Sequence, residues 1–438
     1  MADDVAFKIT GGTETLKRMI QVGKAFTDQS TGGADYRANI HLVADSETGV
    51  TVTAEDKHSG ITFTRKEDVK VVEEGDILVH AMWIDRALSV LDPNATISIS
   101  FDSAGKKMVV EELTGDKVIR MSVPPVGANT KYPSVDDPSV DVTMKVDPDS
   151  FREVYSTVSV ARDLARRVPI LMGVLVEPDQ EAGLLRFMGN NGQTLSSTDC
   201  INASFDGDGE FPRLVLNDDS IRPVFAYTSE AHHISIRHDD KNNMTHFLVY
   251  GDAKEKDLQY HIKVAPLNVP VDKFPAAKLR ASLTGLVNGV HTTMELDKAE
   301  LQRILQQAAD IGSLDVDKIG GMSKNVNVTV DPQGNSLTAS VDTAASYTDS
   351  INVQVDSDST ETMDFVIPWG IHSSIIASYH NSDDPSKFQA GIVNSPKGLP
   401  VAMVLYKDSL YSVEPEGEGD KGQIAESIIV LSLLAANR

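Results

Sequence analysis

Three stretches of this chain repeat one pattern, and that recurrence constrains the fold more than any other feature. Each opens with a short alternating strand, passes a polar residue suited to starting a helix, and continues as an amphipathic helix. They are FKITGGTETLKRMIQVGKAF from Phe7, VTMKVDPDSFREVYSTVSVA from Val142 and TTMELDKAELQRILQQAADI from Thr292. Thr13, Asp147 and Asp297 hold the helix-start position, and Glu300, three residues after Asp297, gives the third stretch the spacing of a capping box. A second helical segment follows in each: HAMWIDRALSVL from His80, NDDSIRPVFAYT from Asn217 and IPWGIHSSIIASYHN from Ile367. Around them run alternating segments such as ATISISFDS and VNVTVDPQGNSLTASV, the signature of half-buried antiparallel strands. Self-similarity at this spacing means repeated domains.

The expected fold class is therefore α+β: three similar domains, each with two helices packed on antiparallel sheets. Aromatic-proline groups, Tyr132-Pro133 and Phe274-Pro275, close the first two repeats, and each is expected to lead through a polar stretch to the next strand. The boundaries expected are 1–140, 141–288 and 289–415. Residues 416–438 follow as the acidic, glycine-rich EGEGDKG and an apolar tail. With 438 residues and 41% hydrophobic content, the chain has material for several cores. A lone cysteine, Cys200, excludes an internal disulfide framework and a multi-cysteine zinc site. No leader-like segment opens the sequence and no apolar run is long enough to span a bilayer. A soluble, cytoplasmic protein without membrane attachment is expected.

The order of helices and strands, with three further motifs, resembles the bacterial beta sliding clamp, the processivity factor of DNA polymerase, over residues 5 to 415. The segment LRFMGNNGQTLSS, Leu185 to Ser197, is similar to the family segment in which an aliphatic strand runs into Thr-Asp-Gly-His-Arg-Leu. Asn190, Asn191, Gly192 and Leu195 keep the frame, while Gln193 and Thr194 stand where the family has His-Arg. VPILMGVLVE, Val168 to Glu177, resembles the strand ending Leu-x-Gly-x-Leu. In LYSVEP, Val413 and Pro415 match the family's terminal Val-Met-Pro, with Glu414 in place of methionine. The departures are those of a divergent member, as a phage-encoded copy would be. The resemblance implies a head-to-tail homodimer whose six domains form a ring around double-stranded DNA, bound without sequence preference. It also implies docking of polymerase and clamp loader, and no catalysis.

A ring of that kind makes a demand on charge. The formal net charge of −24 argues against contact with DNA unless the basic residues are gathered on one surface. They are segregated: over the six helical segments acids and bases nearly balance, so almost all of the excess acid lies on strands and loops. The residues expected to face DNA are Lys17, Lys24, Arg86, Arg162, Arg166, Arg167 and Arg303. The plainer reading is that these side chains only solvate exposed helix faces.

Carrying the family's peptide pocket across gives Leu171, Asn190, Gly192, Gln193, Thr194, Leu195 and Pro275, completed by Trp369, Val413 and Pro415. For Leu171, Leu195 and Val413 ordinary core packing is an equal alternative.

Motifs for chemistry are weak. Gly417 to Gly422 matches a dinucleotide glycine pattern only by letters, since no βαβ unit surrounds it. His232 and His233 are adjacent, so on a strand they point to opposite faces and do not share a metal with His238, Asp239 and Asp240. Cys200 lacks a neighbouring histidine to activate it. No metal, cofactor or catalytic residue is expected. The competing function is a β-rich repeat protein serving assembly, without a role on DNA. The tail QIAESIIVLSLLAANR carries two expectations: a terminal amphipathic helix, or a detachable peptide whose Val430-Leu-Ser-Leu-Leu434 fills a partner pocket.

Overall fold

The computed structural model describes residues 5–28, 30, 35–102, 107–122, 132, 140–163, 168–228, 231–252, 254–313, 325–342, 345–378, 386–406 and 428–435. Arg166, Arg167, Val413, Pro415 and the 417–422 glycine motif lie outside them. Among the described residues there are seven α-helices: α1 (Thr13–Lys24), α2 (Ala81–Ser89), α3 (Pro148–Ser159), α4 (Asp218–Ala226), α5 (Ala276–Asn288), α6 (Lys298–Gly312) and α7 (Trp369–Ser378). Six of them fall in the six segments that the repeats predict. The seventh, α5, occupies the stretch after Phe274-Pro275 where only a polar connection was expected. Its buried Ala276, Leu283 and Val287 give it an apolar stripe.

The chain divides into two compact units. The first comprises residues up to Asp149 together with 203–211 and 219–268. One of its sheets has five antiparallel strands in the order Val69–Glu73, Val5–Gly12, Thr96–Asp102, Lys107–Glu112, Val118–Ser122. A second antiparallel ladder starts at residues 203–207, the second half of the strand Thr194–Gly207, which pairs with Val142–Val146, and continues through His233–Asp239, Met244–Tyr250, Leu258–Val264 and Ser59–Arg65. It then reaches Gly49–Glu55, Asn39–Asp45 and Gly75–His80. Its apolar face buries Ile234, Ile236, Phe247, Ile262, Ile61, Val52, Ile40 and Ile77, as the alternation of each strand requires. Thr13 does not cap α1. It is the first helical residue, and its hydroxyl donates to the Ala95 carbonyl at 3.0 Å, where the Thr96 strand begins alongside.

The second unit comprises residues 150–202, 212–218 and 269–438. One ladder runs Leu214–Leu216, Val174–Asp179, Leu184–Asn190 and the first half of Thr194–Gly207. It continues through Ile428–Ser432, Pro400–Tyr406, Lys387–Asn394, Val290–Asp297 and Gln354–Ser357. A smaller sheet holds Ser346–Asn352, Ser336–Asp342, Asn325–Asp331, Met363–Pro368 and Leu434–Ala435. Between the sheets lies a core of Leu301, Ile304, Leu305, Ile375, Ile376, Phe365 and Phe388, all buried. Asp297 caps α6 as expected, accepting from the Glu300 amide at 3.0 Å, while the Glu300 carboxylate accepts from Arg303.

The tail is neither of the two things expected of it. Residues 428–432 form an interior strand, paired to Thr194–Ser197 on one side and to Ala402–Tyr406 on the other. Leu434 and Ala435 then cross to the second sheet and pair with Val366 and Phe365. A run apolar on both faces is what an interior strand between two layers needs. Ile429 and Leu431 are fully buried.

Candidate functional sites

The turn between Leu184–Asn190 and the strand from Thr194 is fixed by its own side chains. Asn190 Oδ1 accepts from the Gly192 amide at 2.9 Å, and Asn191 Oδ1 accepts from the amides of Gln193 and Thr194 at 2.9 and 2.7 Å. Gly192 has φ +86°, the left-handed conformation that glycine takes without strain. These contacts leave Gln193 exposed and turn Thr194 and Leu195 inward. The tail strand closes over this turn: the Ser432 amide donates to the Gln193 carbonyl at 3.0 Å, and His372 Nε2 donates to the Ser432 carbonyl at 3.0 Å. Burial holds the His372 imidazole below its ordinary value, so it stays neutral.

Leu171 sits half-buried in a short turn, Pro169–Met172, at the Asn190 end of the same hairpin, since Leu175 pairs with Met188. Asp163 pins that turn: its amide donates to the Leu171 carbonyl at 2.7 Å and its carboxylate accepts from the Val168 amide at 2.8 Å. Pro275 starts α5, and Arg280 of α5 forms an ion pair with Glu177 on the strand that follows Leu171. Leu171, Asn190 to Leu195 and Pro275 thus belong to elements tied to one another. Trp369 is a core residue, 3% exposed, whose indole N–H donates to Gln306 Oε1 at 2.9 Å, the partner a buried tryptophan requires. Val430 and Leu431, expected as part of a peptide filling a partner pocket, lie opposite Leu195 and Thr194 as part of an interior strand.

The cations separate sharply once their partners are seen. Arg162 is not solvent-facing: its guanidinium pairs with Asp218 at 2.6 Å, and the two side chains are only 15% and 12% exposed. Lys24 pairs with Asp85 at 2.6 Å, linking α1 to α2. Arg303 is exposed but held between Asp349 (2.6 Å) and Glu300 (2.8 Å), which raise its pKa. Lys17 and Arg86 form no ion pair among the described residues, nor does Arg18, the neighbour of Lys17 on the outer side of α1. Trp83, 44% exposed one turn before Arg86, stacks on His80 at 4.7 Å between ring centroids.

Among the described residues no group of three or more His, Cys, Asp and Glu side chains is placed to hold a metal. His233 stacks on Tyr250 with its ring 5.0 Å away, and His238 hydrogen-bonds Thr245. No described helix is long and apolar enough to cross a membrane.

The architecture is that of the sliding-clamp fold. Solved structures that share it include the DNA polymerase III beta subunit of Thermotoga maritima, with a TM-score of 0.70 at 15% identity, covering 98% of this chain and 100% of that one. The beta chain of DNA polymerase III from Streptococcus pneumoniae matches with a TM-score of 0.74 at 12% identity over the same shares. So does the Helicobacter pylori beta clamp, solved with a DNA ligase peptide bound, with a TM-score of 0.71 at 12% identity. No protein-family model and no curated protein matches the sequence. At these identities the likeness defines the fold.

Proposed function

We propose that this chain is a DNA sliding clamp: a cytoplasmic, non-catalytic processivity factor that closes as a homodimeric ring around duplex DNA and tethers polymerase and clamp loader to it. The observation that carries this reading is the clamp fold over nearly the whole chain, at low identity to every relative named above. It weighs against a purely structural repeat protein, for which a full-length match to clamps has no reason. The three domains are taken as 1–140, 141–288 and from 289 onward, with the strands at 428–435 belonging to the third. Lys17, Arg18 and Arg86 are the proposed DNA-facing cations, because nothing described neutralises them. Sparse phosphate contacts of this kind hold DNA without reading its bases, which sliding requires.

Partner segments are proposed to dock beside the Asn190 to Leu195 turn, with Leu171 and Pro275 at its edges. The H. pylori clamp, crystallised with a ligase peptide, supports peptide docking as a property of the fold. The test is topological. A clamp loaded on a nicked circular duplex stays bound until the circle is cut, then runs off the ends. Equal retention on circular and linear DNA would refute the reading.

A further inference from the structure

The first compact unit contains a groove of about 770 Å3, of whose lining the clamp reading uses only Arg18. It lies between α1, the end of α4 and the strands Ser59–Arg65 and Leu258–Val264. Its volume is that of a small-ligand site. Three of the lining rings form a row along one side, Tyr227 to Tyr260 at 5.4 Å and Tyr260 to Phe63 at 5.5 Å between centroids, with the buried Phe26 behind Tyr227. Burial raises the pKa of the Tyr227 phenol, so it stays protonated.

Arg65 lies over two of these rings, its guanidinium 5.2 Å from the Tyr260 centroid and 5.5 Å from that of Phe63. Its Nη2 donates to the Tyr260 hydroxyl at 2.8 Å. The side chain is therefore held in one orientation while still half-exposed. Acids outnumber bases 64 to 40 in this chain, yet among the described residues neither Arg65 nor Arg18, which lines the same groove, forms an ion pair. A fixed guanidinium with no ion-pair partner among the described residues, set beside an aromatic wall, is built to receive an anion attached to something flat. Glu67, Asp68 and Asp257 also line the groove. They repel a run of phosphates and accept hydrogen bonds from exocyclic amino groups.

We propose that this groove holds a single unpaired nucleotide of single-stranded DNA. Its phosphate lies on Arg65 and Arg18, its base against Tyr227, and its amino group toward the carboxylates. A duplex phosphate would use the cations but neither the aromatic wall nor the acids. The site shares Arg18 with the clamp reading, and it goes beyond that reading through Arg65, Tyr227 and the carboxylates, on which the clamp does not rely.

The probe is fluorescein-labelled oligodeoxycytidine, titrated into the full-length protein and followed by anisotropy. Arg65→Ala and Tyr227→Ala should each weaken binding by about tenfold, the usual worth of one stacked base. Oligodeoxythymidine, which lacks the amino group, should bind more weakly than oligodeoxycytidine. Because Arg65→Ala removes packing as well as charge, photocrosslinking of 5-iododeoxycytidine DNA to the wild type supplies a second readout, with adducts expected at Tyr227 or Tyr260. Adducts mapping elsewhere, or variants that bind like the wild type, overturn the proposal. Tyr227→Ala should still be retained on nicked circles. Oligonucleotide binding without retention on circles would remove the clamp reading and leave this site, and the reverse outcome would remove the site alone.

Discussion

Leu431→Ala tests whether the tail is structural. Leu431 is fully buried in the strand Ile428–Ser432, opposite Thr194 on one side and Met403 on the other. Because hydrogen-bonded strands flank it on both sides, the surroundings have little freedom to collapse into the space left behind. The loss should therefore fall in the middle of the range for buried leucine, about 3 to 4 kcal/mol. At roughly 3 °C per kcal/mol for a unit of this size, the melting temperature should drop by about 10 °C. The two tryptophans fall one in each compact unit, Trp83 in the first and Trp369 in the second. In a Trp83→Phe background, urea unfolding followed by Trp369 emission reads the second unit alone. Ser432→Ala, at a half-buried position of the same strand, is the control and should cost less than about 1 kcal/mol. A Leu431→Ala loss below about 1 kcal/mol would refute the argument. So would a protein lacking residues 423–438 whose Trp369 transition remained cooperative, since that tail would then be a detachable ligand after all.

Arg162→Ala should destabilise the second unit by about 3 kcal/mol in urea titrations, because it removes the cation paired at 2.6 Å with the mostly buried Asp218 carboxylate. It should leave the salt dependence of DNA retention unchanged. The triple change of Lys17, Arg18 and Arg86 to Glu should do the opposite, leaving urea midpoints nearly unmoved and lowering the salt slope of DNA binding by about one unit per cation. Stability should also fall on acidification: His372 is held neutral by burial, so the unfolded state binds more protons as pH drops through the ordinary histidine value near ~6.5, and His372→Gln should flatten that part of the pH profile. Gly192→Ala should cost about 1 kcal/mol in thermal melts from backbone strain alone, since φ is +86° and no atom lies within 4 Å of the added methyl.

The repeats were legible because their helices carry start residues and apolar stripes at matching offsets, and six helices lie where those signals place them. Helix α5 was hidden by its position: Phe274-Pro275 reads as a boundary, and its Lys278, Arg280 and Ser282 read as a solvated connection. The tail misled for the opposite reason. A strand buried on both faces has no alternation, so Ile428 to Leu434 has the density of a helix and the length of neither element decides the matter. At the sites, local signals worked and tertiary ones did not. The asparagine-glycine turn at Asn190 to Gly192 could be read from letters, whereas the pairing of Arg162 with Asp218 joins residues far apart in sequence. Which of several arginines remains free is decided by such partners, and no spacing encodes them.

The crossing of the tail between two sheets also has a consequence for how the protein is made. During translation the strand beginning at Thr194 emerges early, but its neighbour at Leu431 is synthesised only after the whole third repeat. Until then a nascent chain presents an open hydrogen-bonding edge beside the buried Leu195, the kind of edge that recruits other chains. The first compact unit contains no residue of the third repeat and can fold while the ribosome is still at work. A frameshift or stop codon close before Ile428 would thus yield a product half folded and half adhesive. Such a product is a ready substrate for chaperones and proteases.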